Sequence, residues 1–247
     1  MVVIRFLLLL TAFVAAAGPA AQRTPVLLEL FTSEGCSDCP AADRLLETLD
    51  RTQPAAGAEL IVMSEHVDYF NNLGWVDRFS SPQFTARQQN YCERLHVDGP
   101  YTPQMLVDGR AQMVGSRAAD VQAAIQSAER EAKVPVTVSA VTRDGARVSA
   151  HVEVKAVEGH SAELYLALAD DHAETQVKRG ENAGRALQHV AVVRALVKVT
   201  SIRKGQEFAK DVSATLPSGA GTNGLRVLAI VQDSNGGRVI GVAQGRL

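Results

Sequence analysis

The stretch Thr32-Ser33-Glu34-Gly35-Cys36-Ser37-Asp38-Cys39-Pro40 decides the fold class that this sequence predicts. An apolar run at residues 26–31 precedes it and predicts a buried strand. Apolar residues at helical spacing follow it and predict a helix that begins near Cys36, with an apolar side formed by Ala42, Leu45, Leu46 and Leu49. Two cysteines in a Cys-x-x-Cys spacing, between a strand and a helix, are typical of a site for thiol–disulfide exchange.

The segments that follow extend this pair of elements into an α/β unit. Residues 59–64 predict a second buried strand, so strand, helix and strand form a βαβ unit with parallel strands. A helix is predicted at residues 81–96, and Asp108-Gly109 between two apolar runs predicts a β-hairpin. Ser116 is suited to cap a third helix. This order predicts an α/β thioredoxin-like domain over residues 22–133.

The pattern changes at Val134-Pro135. Short runs of alternating apolar and polar residues follow, separated by turns such as Asp144-Gly145 and Asn235-Gly236-Gly237. Such runs without helical periodicity predict an all-β antiparallel, sandwich-like domain over residues 134–247.

The N-terminus predicts export. Arg5 precedes an apolar run at residues 6–17, which is too short to span a bilayer as a mature helix and ends in small residues suited to cleavage. Residues 1–21 are therefore interpreted as a signal peptide and spacer, with a retained membrane anchor as the alternative. We expect a periplasmic or secreted protein that leaves the membrane once the signal is removed.

Composition excludes several classes of protein. The chain has 247 residues and a formal net charge of -2, so it carries no basic footprint for nucleic acid. Its three cysteines are too few for a disulfide scaffold. Cys92 is the odd one, and on a predicted helix it is interpreted as a partly buried, inert thiol. The histidines at 151, 160, 172 and 189 show no metal-ligand spacing.

Four motifs together resemble a known family of secreted bacterial proteins, the domain of unknown function 1223 family, which has a thioredoxin-like first domain. The motifs are residues 29–43, then His66-Val67-Asp68-Tyr69 with Leu73-Gly74-Trp75, then residues 101–105, then Gly180-Glu181-Asn182-Ala183-Gly184-Arg185. By resemblance to thioredoxin-like folds, Pro103 is expected to be a cis-proline that faces the Cys-x-x-Cys motif. We interpret residues 180–185 as a loop that packs the two predicted domains together.

The predicted chemistry uses three residues. Cys36 is the expected nucleophile, because amide groups and the dipole at a helix N-terminus favour a thiolate. Cys39 is the expected resolving thiol. Asp38 opposes a second negative charge nearby, so we predict a mild effect on the thiol and a reducing or isomerase-like potential. Glu29 is a candidate proton acceptor for Cys39, and its alternative interpretation is a solvent-facing strand residue.

The predicted substrate groove lies at the carboxyl ends of the parallel strands. Thr102 and Pro103 border it and offer backbone groups to an extended substrate. Side chains from the segment after the second strand complete the expected lining: His66, Asp68, Tyr69 and Trp75. Each of two residues also has an alternative role. His66 could only form hydrogen bonds within the loop, and Trp75 could only fill the apolar space under that loop.

Three functions remain open at this point. The first is an enzyme, an exported thiol–disulfide oxidoreductase that reduces or isomerises disulfides in protein or small-thiol substrates and exchanges electrons with a redox partner. The second is a soft-metal (Cu or Zn) binding protein that uses Cys36, Cys39, His66 and Asp68. The third is an interaction module with a structural disulfide. For the first function no cofactor and no resident metal are expected.

Overall fold

The computed structural model describes residues 23–220, 224–235 and 237–247. The predicted signal peptide therefore lies outside the described residues. No helix in these ranges has the length and the hydropathy of a membrane-crossing helix.

The first half of the chain alternates strands and helices. Its elements, in chain order, are β1 (Thr24–Thr32), α1 (Cys39–Thr52), β2 (Ala58–His66), α2 (Pro82–Arg94), β3 (Gln104–Val107), β4 (Ala111–Val114) and α3 (Ala118–Ala128). β1 pairs in parallel with β2 and antiparallel with β3, which forms a hairpin with β4. The hairpin turns at Asp108 and Gly109, which both have positive φ, as the Asp-Gly pair predicts.

The second half of the chain consists of strands. They are β5 (Val136–Asp144), β6 (Arg147–Val154), β7 (Ala162–Gln176), β8 (Ala186–Ile202), β9 (Phe208–Thr215), β10 (Leu225–Asp233) and β11 (Val239–Arg246). β5, β6 and β9 form a small antiparallel sheet. Alternate residues of this sheet, among them Val148 and Val152, pack against Leu164, Leu166 and Val227 of β7 and β10. This packing buries the second hydrophobic core.

The two halves share one sheet, and this overturns the predicted fold class. Eight strands run in the order β11-β10-β7-β8-β2-β1-β3-β4, and the halves join where Ser64 of β2 pairs with Val192 of β8. The Ser64 hydroxyl also donates to the Val190 carbonyl, at 3.0 Å. The described residues are mostly β-structure built on this large mixed sheet. The prediction of an α/β thioredoxin-like domain followed by a separate all-β sandwich is therefore wrong.

The error has a physical cause. Hydrophobic periodicity reports which residues of a strand are buried, but it does not report the strand with which they pair. Val134-Pro135 lies between α3 and β5, where the helices of the first half end and the strands of the second half begin. Pairing between β2 and β8 nevertheless crosses the predicted boundary and joins the two halves in one sheet.

The helices cover the faces of the large sheet and position the site. α1 buries Ala42, Leu46 and Leu49 in the main core, against the central strands. α2 begins after Ser81, whose hydroxyl accepts a hydrogen bond from the Gln83 amide. Glu29 of β1 bonds to residues of α2, whereas Leu30 lies near Ala42 of α1. Since successive strand residues point to opposite sides, α1 and α2 lie on opposite faces of β1.

Candidate functional site

Cys36 and Cys39 form a disulfide in a tight turn between β1 and α1. The Cys36 amide donates to the Ser33 carbonyl at 3.1 Å, and the Cys39 amide donates to the Cys36 carbonyl at 3.3 Å. α1 begins at Cys39, with Asp38 as its N-cap residue. Cys36 therefore precedes the helix, whereas the sequence predicted that it would begin the helix.

A loop from the second half of the chain covers this turn. The side-chain amide of Asn182 donates to the carbonyls of Glu34, at 2.9 Å, and Cys36, at 2.8 Å. Glu181 accepts a hydrogen bond from the Ser37 amide at 3.2 Å. Asn182 is fully buried and Cys36 is only 3% exposed, so the loop restricts access to the disulfide.

The same loop contacts the segment after β2. Gly180 has a φ of +75° and lies so close to Trp75 that a side chain on Gly180 would approach the Trp75 Cβ to 3.1 Å. The indole nitrogen of Trp75 donates to Glu34 at 2.7 Å. The motif at residues 180–185 thus packs elements from both halves of the chain around the disulfide turn.

A groove of about 460 Å³ runs beside the disulfide. The Thr102–Pro103 peptide bond on one wall is cis, as the resemblance implied. Residues of the Cys-x-x-Cys turn and of the covering loop form the other walls, and the lining includes Ser37, Asp38, Pro40, Ala41, Arg44, Tyr101, Thr102, Pro103, Val114, Ser116 and Arg185. Thr102 and Pro103 therefore border this groove, and their contact with a substrate stays a prediction.

Tyr69 and Asp68 lie at the α2 side of the site. The Tyr69 hydroxyl donates to Gln88 at 3.2 Å, and burial raises the pKa of Tyr69 to about 12. The Asp68 carboxylate accepts from the Thr85 hydroxyl at 2.6 Å and holds the start of α2. Neither residue, nor His66 or Trp75, is among those that line the groove.

Glu29 is buried but does not point towards the disulfide. It accepts hydrogen bonds from Arg87 at 2.9 Å and from the Tyr91 hydroxyl at 2.7 Å, on the α2 face of the sheet. The next residue, Leu30, lies on the other face, where it shares a contact region with Ala42 of α1 around Gly115. Glu29 is thus not placed to exchange a proton with Cys39.

Glu65 completes this α2-side cluster. One of its carboxylate oxygens is 3.5 Å from the Arg87 guanidinium, and its side chain also interacts with the Glu29 carboxylate. Burial raises the pKa of Glu65 to about 8, against the lowering effect of Arg87 and with a further rise from Glu29. The sequence contains a signal for a buried carboxyl group here, because Glu65 lies in β2 just after its apolar run. Glu65 was not among the site residues predicted from the sequence.

His66 lies inside the protein on the α1 face, rather than in a loop. Its Nδ1 is 2.7 Å from Asp77, which also accepts from the Glu34 and Phe79 amides. Burial by itself would lower the pKa of His66. The negative charges of Asp77, Asp43 and Glu34 have a larger, opposite effect, so the pKa of His66 is raised.

A second buried histidine, which sequence reasoning set aside, lies against the first. The His189 ring of β8 is 4.7 Å from the His66 ring, centroid to centroid. His189 is 123 residues away from His66 along the chain. Local sequence patterns therefore gave no signal that joins them.

Residues proposed for a soft metal do not assemble into a site. Cys36 and Cys39 are joined in the disulfide, and Asp68 is bonded to Thr85. In the part of the chain that the structure describes, no group of three or more histidine, cysteine, aspartate or glutamate side chains is arranged to hold a metal ion.

A solved structure is similar to this chain over most of its length. The X-ray structure of protein AGR_C_4864 from Agrobacterium tumefaciens is similar over 90% of this chain and 94% of that one, with 26% identity and a TM-score of 0.68. Spo0M, a sporulation control protein from Bacillus subtilis, aligns over 47% of each chain at 18% identity, and its TM-score of 0.31 carries no argument. No curated protein matches the sequence.

The family comparison covers most of the chain. A family model described as a protein of unknown function (DUF1223) matches residues 27–232, which include the disulfide turn, the groove and the covering loop. The resemblance found in the four sequence motifs is thereby confirmed, and the chain belongs to the DUF1223 family.

Proposed function

We propose that this protein is an exported thiol–disulfide oxidoreductase that reduces or isomerises disulfides in protein or small-thiol substrates. The observation that carries the proposal is the Cys36–Cys39 disulfide, closed within a four-residue turn beside a groove. A bridge that closes so short a loop removes little chain entropy from the unfolded state, so it adds little stability. A role in electron exchange accounts for it better.

The proposed reaction conserves atoms and electrons. In the reduced protein, the Cys36 thiolate attacks one sulfur of a substrate disulfide and forms a mixed disulfide, while the other substrate sulfur leaves as a thiolate. The Cys39 thiolate then attacks the Cys36 sulfur and releases the second substrate thiolate. The substrate gains two electrons, and the Cys36–Cys39 bond forms again. A separate thiol partner reduces it for the next cycle.

The geometry favours a narrow substrate. Because Cys36 is only 3% exposed, a small thiol or an extended peptide reaches its sulfur more readily than a folded protein surface does. The groove offers such a peptide the backbone of Thr102 and Pro103 on one wall and the side chains of Arg44 and Arg185 nearby.

Export supports the same function. The apolar run at residues 6–17 resembles a signal peptide, and exported proteins meet an oxidising compartment in which dithiols and disulfides are exchanged. Protein or small-molecule thiols and a redox donor or acceptor are the partners that this chemistry requires.

The decisive experiment is a redox titration of the mature protein against glutathione, read by mass after thiol alkylation. We expect a reversible two-electron transition confined to Cys36 and Cys39, above the roughly -300 mV below which structural disulfides usually lie. Cys39→Ser should trap mixed disulfides through Cys36, whereas Cys92→Ser should behave like the natural protein. A pair that is reduced only when the protein unfolds would overturn the proposal.

A further inference from the structure

Five ionisable side chains form a buried acid–histidine cluster on the α1 face: Glu34, Asp43, His66, Asp77 and His189. None of these residues is more than 4% exposed. They come from α1, β2, β8 and two connecting segments, so the complete fold is needed to bring them together. The proposed exchange at Cys36 and Cys39 does not involve any of them.

The cluster has a hydrogen-bonded pair, in which His66 Nε2 still lacks a partner in the described residues, and an open part. His66 and Asp77 are bonded to each other at 2.7 Å, and Asp77 also accepts two backbone hydrogen bonds. In the open part, His189 Nδ1 is 3.6 Å from Asp43 and His189 Nε2 is 3.9 Å from Glu34. Both ring nitrogens of His189 lack a hydrogen-bond partner in the described residues, although the side chain is fully buried.

The open part adjoins the disulfide. Asp43 follows Cys39 by four residues on α1, so the two side chains lie on the same helix face with Cβ atoms about 5–6 Å apart. Cys39 is 0% exposed, so solvent does not reach its sulfur to supply or remove a proton. The Thr32 hydroxyl donates to Asp43 at 3.0 Å and fixes the carboxylate beside the helix start.

Burial favours a proton transfer to Cys39. Three carboxyl groups and two imidazoles lie together in the cluster, away from water. A Cys39 thiolate would add a negative charge in an interior that water does not reach, which is unfavourable.

We propose that Asp43 and His189 form the proton-transfer pair of Cys39. When a thiolate attacks Cys36, the Cys36–Cys39 bond breaks and its electron pair goes to the Cys39 sulfur. A proton carried by His189 or Asp43 passes to that sulfur, so Cys39 becomes a thiol and the pair loses one proton. In the reverse direction, Asp43 removes the proton of the Cys39 thiol and His189 shares it.

This inference rests on the proposed thiol–disulfide exchange, and it replaces Glu29 as the group that serves Cys39. Glu29 lies on the opposite face of the sheet, bonded to Arg87 and Tyr91. Glu34 and His66 lie beside His189, and Asp77 is bonded to His66. Cys39 lies one turn before Asp43 on α1. Glu47 of α1 and His172 and Glu174 of β7 line a pocket together with His189.

The test uses 2-mercaptoethanol to open the disulfide of the folded protein between pH 5 and pH 9, followed by acid quench and mass. The rate constant is divided by the thiolate fraction of the reagent. In the natural protein this corrected constant should fall about a hundredfold as pH rises and the donor loses its proton. Asp43→Asn should give a flat profile at the low level, and Asp43→Glu should restore the slope.

Asp98→Asn, a matched change at an exposed aspartate, should keep the natural profile. If Asp43→Asn does not fold, Thr32→Val gives the answer, because it keeps the carboxylate and removes one donor that stabilises its charged form. Its profile should then move to higher pH. Identical profiles for the natural protein, Asp43→Asn and Thr32→Val would overturn the inference alone. A folded natural protein that 2-mercaptoethanol does not open would instead overturn the proposed function.

Discussion

The side chain of Asn182 donates a 2.8 Å hydrogen bond to the carbonyl of Cys36, 146 residues earlier in the chain. A second bond from the same amide reaches the Glu34 carbonyl. These two bonds fasten the covering loop to the disulfide turn, so stability and access to the disulfide are coupled at one side chain.

Asn182→Ala should lower the free energy of unfolding and raise the reactivity of the disulfide. The amide also accepts a hydrogen bond from Arg185 at 2.9 Å, and removing a buried amide with three partners costs about 2 kcal/mol. The second-order rate constant for reduction by a small thiol should rise at the same time, because the loop opens more often. Urea unfolding and alkylation kinetics measure the two effects.

Asn90→Ala, at an exposed asparagine of α2, is the control for a general effect of amide removal. If Asn182→Ala loses stability while its disulfide reacts at the natural rate, the loop does not limit access.

Arg44 should favour substrates that carry carboxylates. It is exposed on the wall of the groove, where a positive charge attracts an anionic thiol. Arg44→Gln should slow reduction of glutathione disulfide roughly two- to fivefold relative to the neutral 2-hydroxyethyl disulfide, as exposed charge pairs contribute little each.

Salt provides the check on that electrostatic cause. The preference should shrink at about 1 M salt, where charges are screened beyond about 3 Å. Arg203→Gln, at an exposed arginine outside the groove, should leave the ratio of the two rates unchanged.

Glu65 should make the folded protein less stable as pH rises. Burial raises its pKa from 4.5 to about 8, so the folded protein keeps a proton that the unfolded chain has released. The free energy of unfolding therefore falls between about pH 4.5 and pH 8, by up to about 1.4 kcal/mol for each pH unit.

Glu65→Gln removes this titration and nearly preserves the shape of the side chain. The difference in unfolding free energy between the two proteins, from urea curves at pH 5, 6, 7 and 8, should change in favour of the variant as pH rises. Parallel pH dependences would contradict the assignment of the slope to Glu65.

Cys92 should stay unreactive in the folded protein. It is buried, and burial raises the pKa of its thiol against the opposing hydrogen bond from Gln104. Iodoacetamide should label no thiol in the folded oxidised protein, one thiol after unfolding without reductant, and all three cysteines after unfolding with reductant. Label on Cys92 in the folded protein would contradict its burial.

Local chemistry predicted the parts of the structure that depend on neighbouring residues. The Asp108-Gly109 turn needs two residues with positive φ, and the sequence supplies the pair that adopts them most easily. β1, α1 and β2 follow each other with short connections, so their parallel arrangement was also predictable.

Parts that depend on distant pairing escaped prediction. His189 reaches the site only because β8 adds to the free edge of β2, through the single register pair of Ser64 and Val192. No periodicity encodes that pairing. Glu29 illustrates a different limit: strand alternation shows that Glu29 and Leu30 face opposite ways, but the side on which α1 packs is a tertiary choice.

The attachment of β8 to β2 also covers an edge strand. Without the second half of the chain, β2 would become an edge strand with unpaired backbone groups and an apolar run from Leu60 to Met63. Such an edge is a template for pairing with another copy. A fragment that ends near residue 133 should therefore aggregate, whereas the complete chain presents β8 at that position.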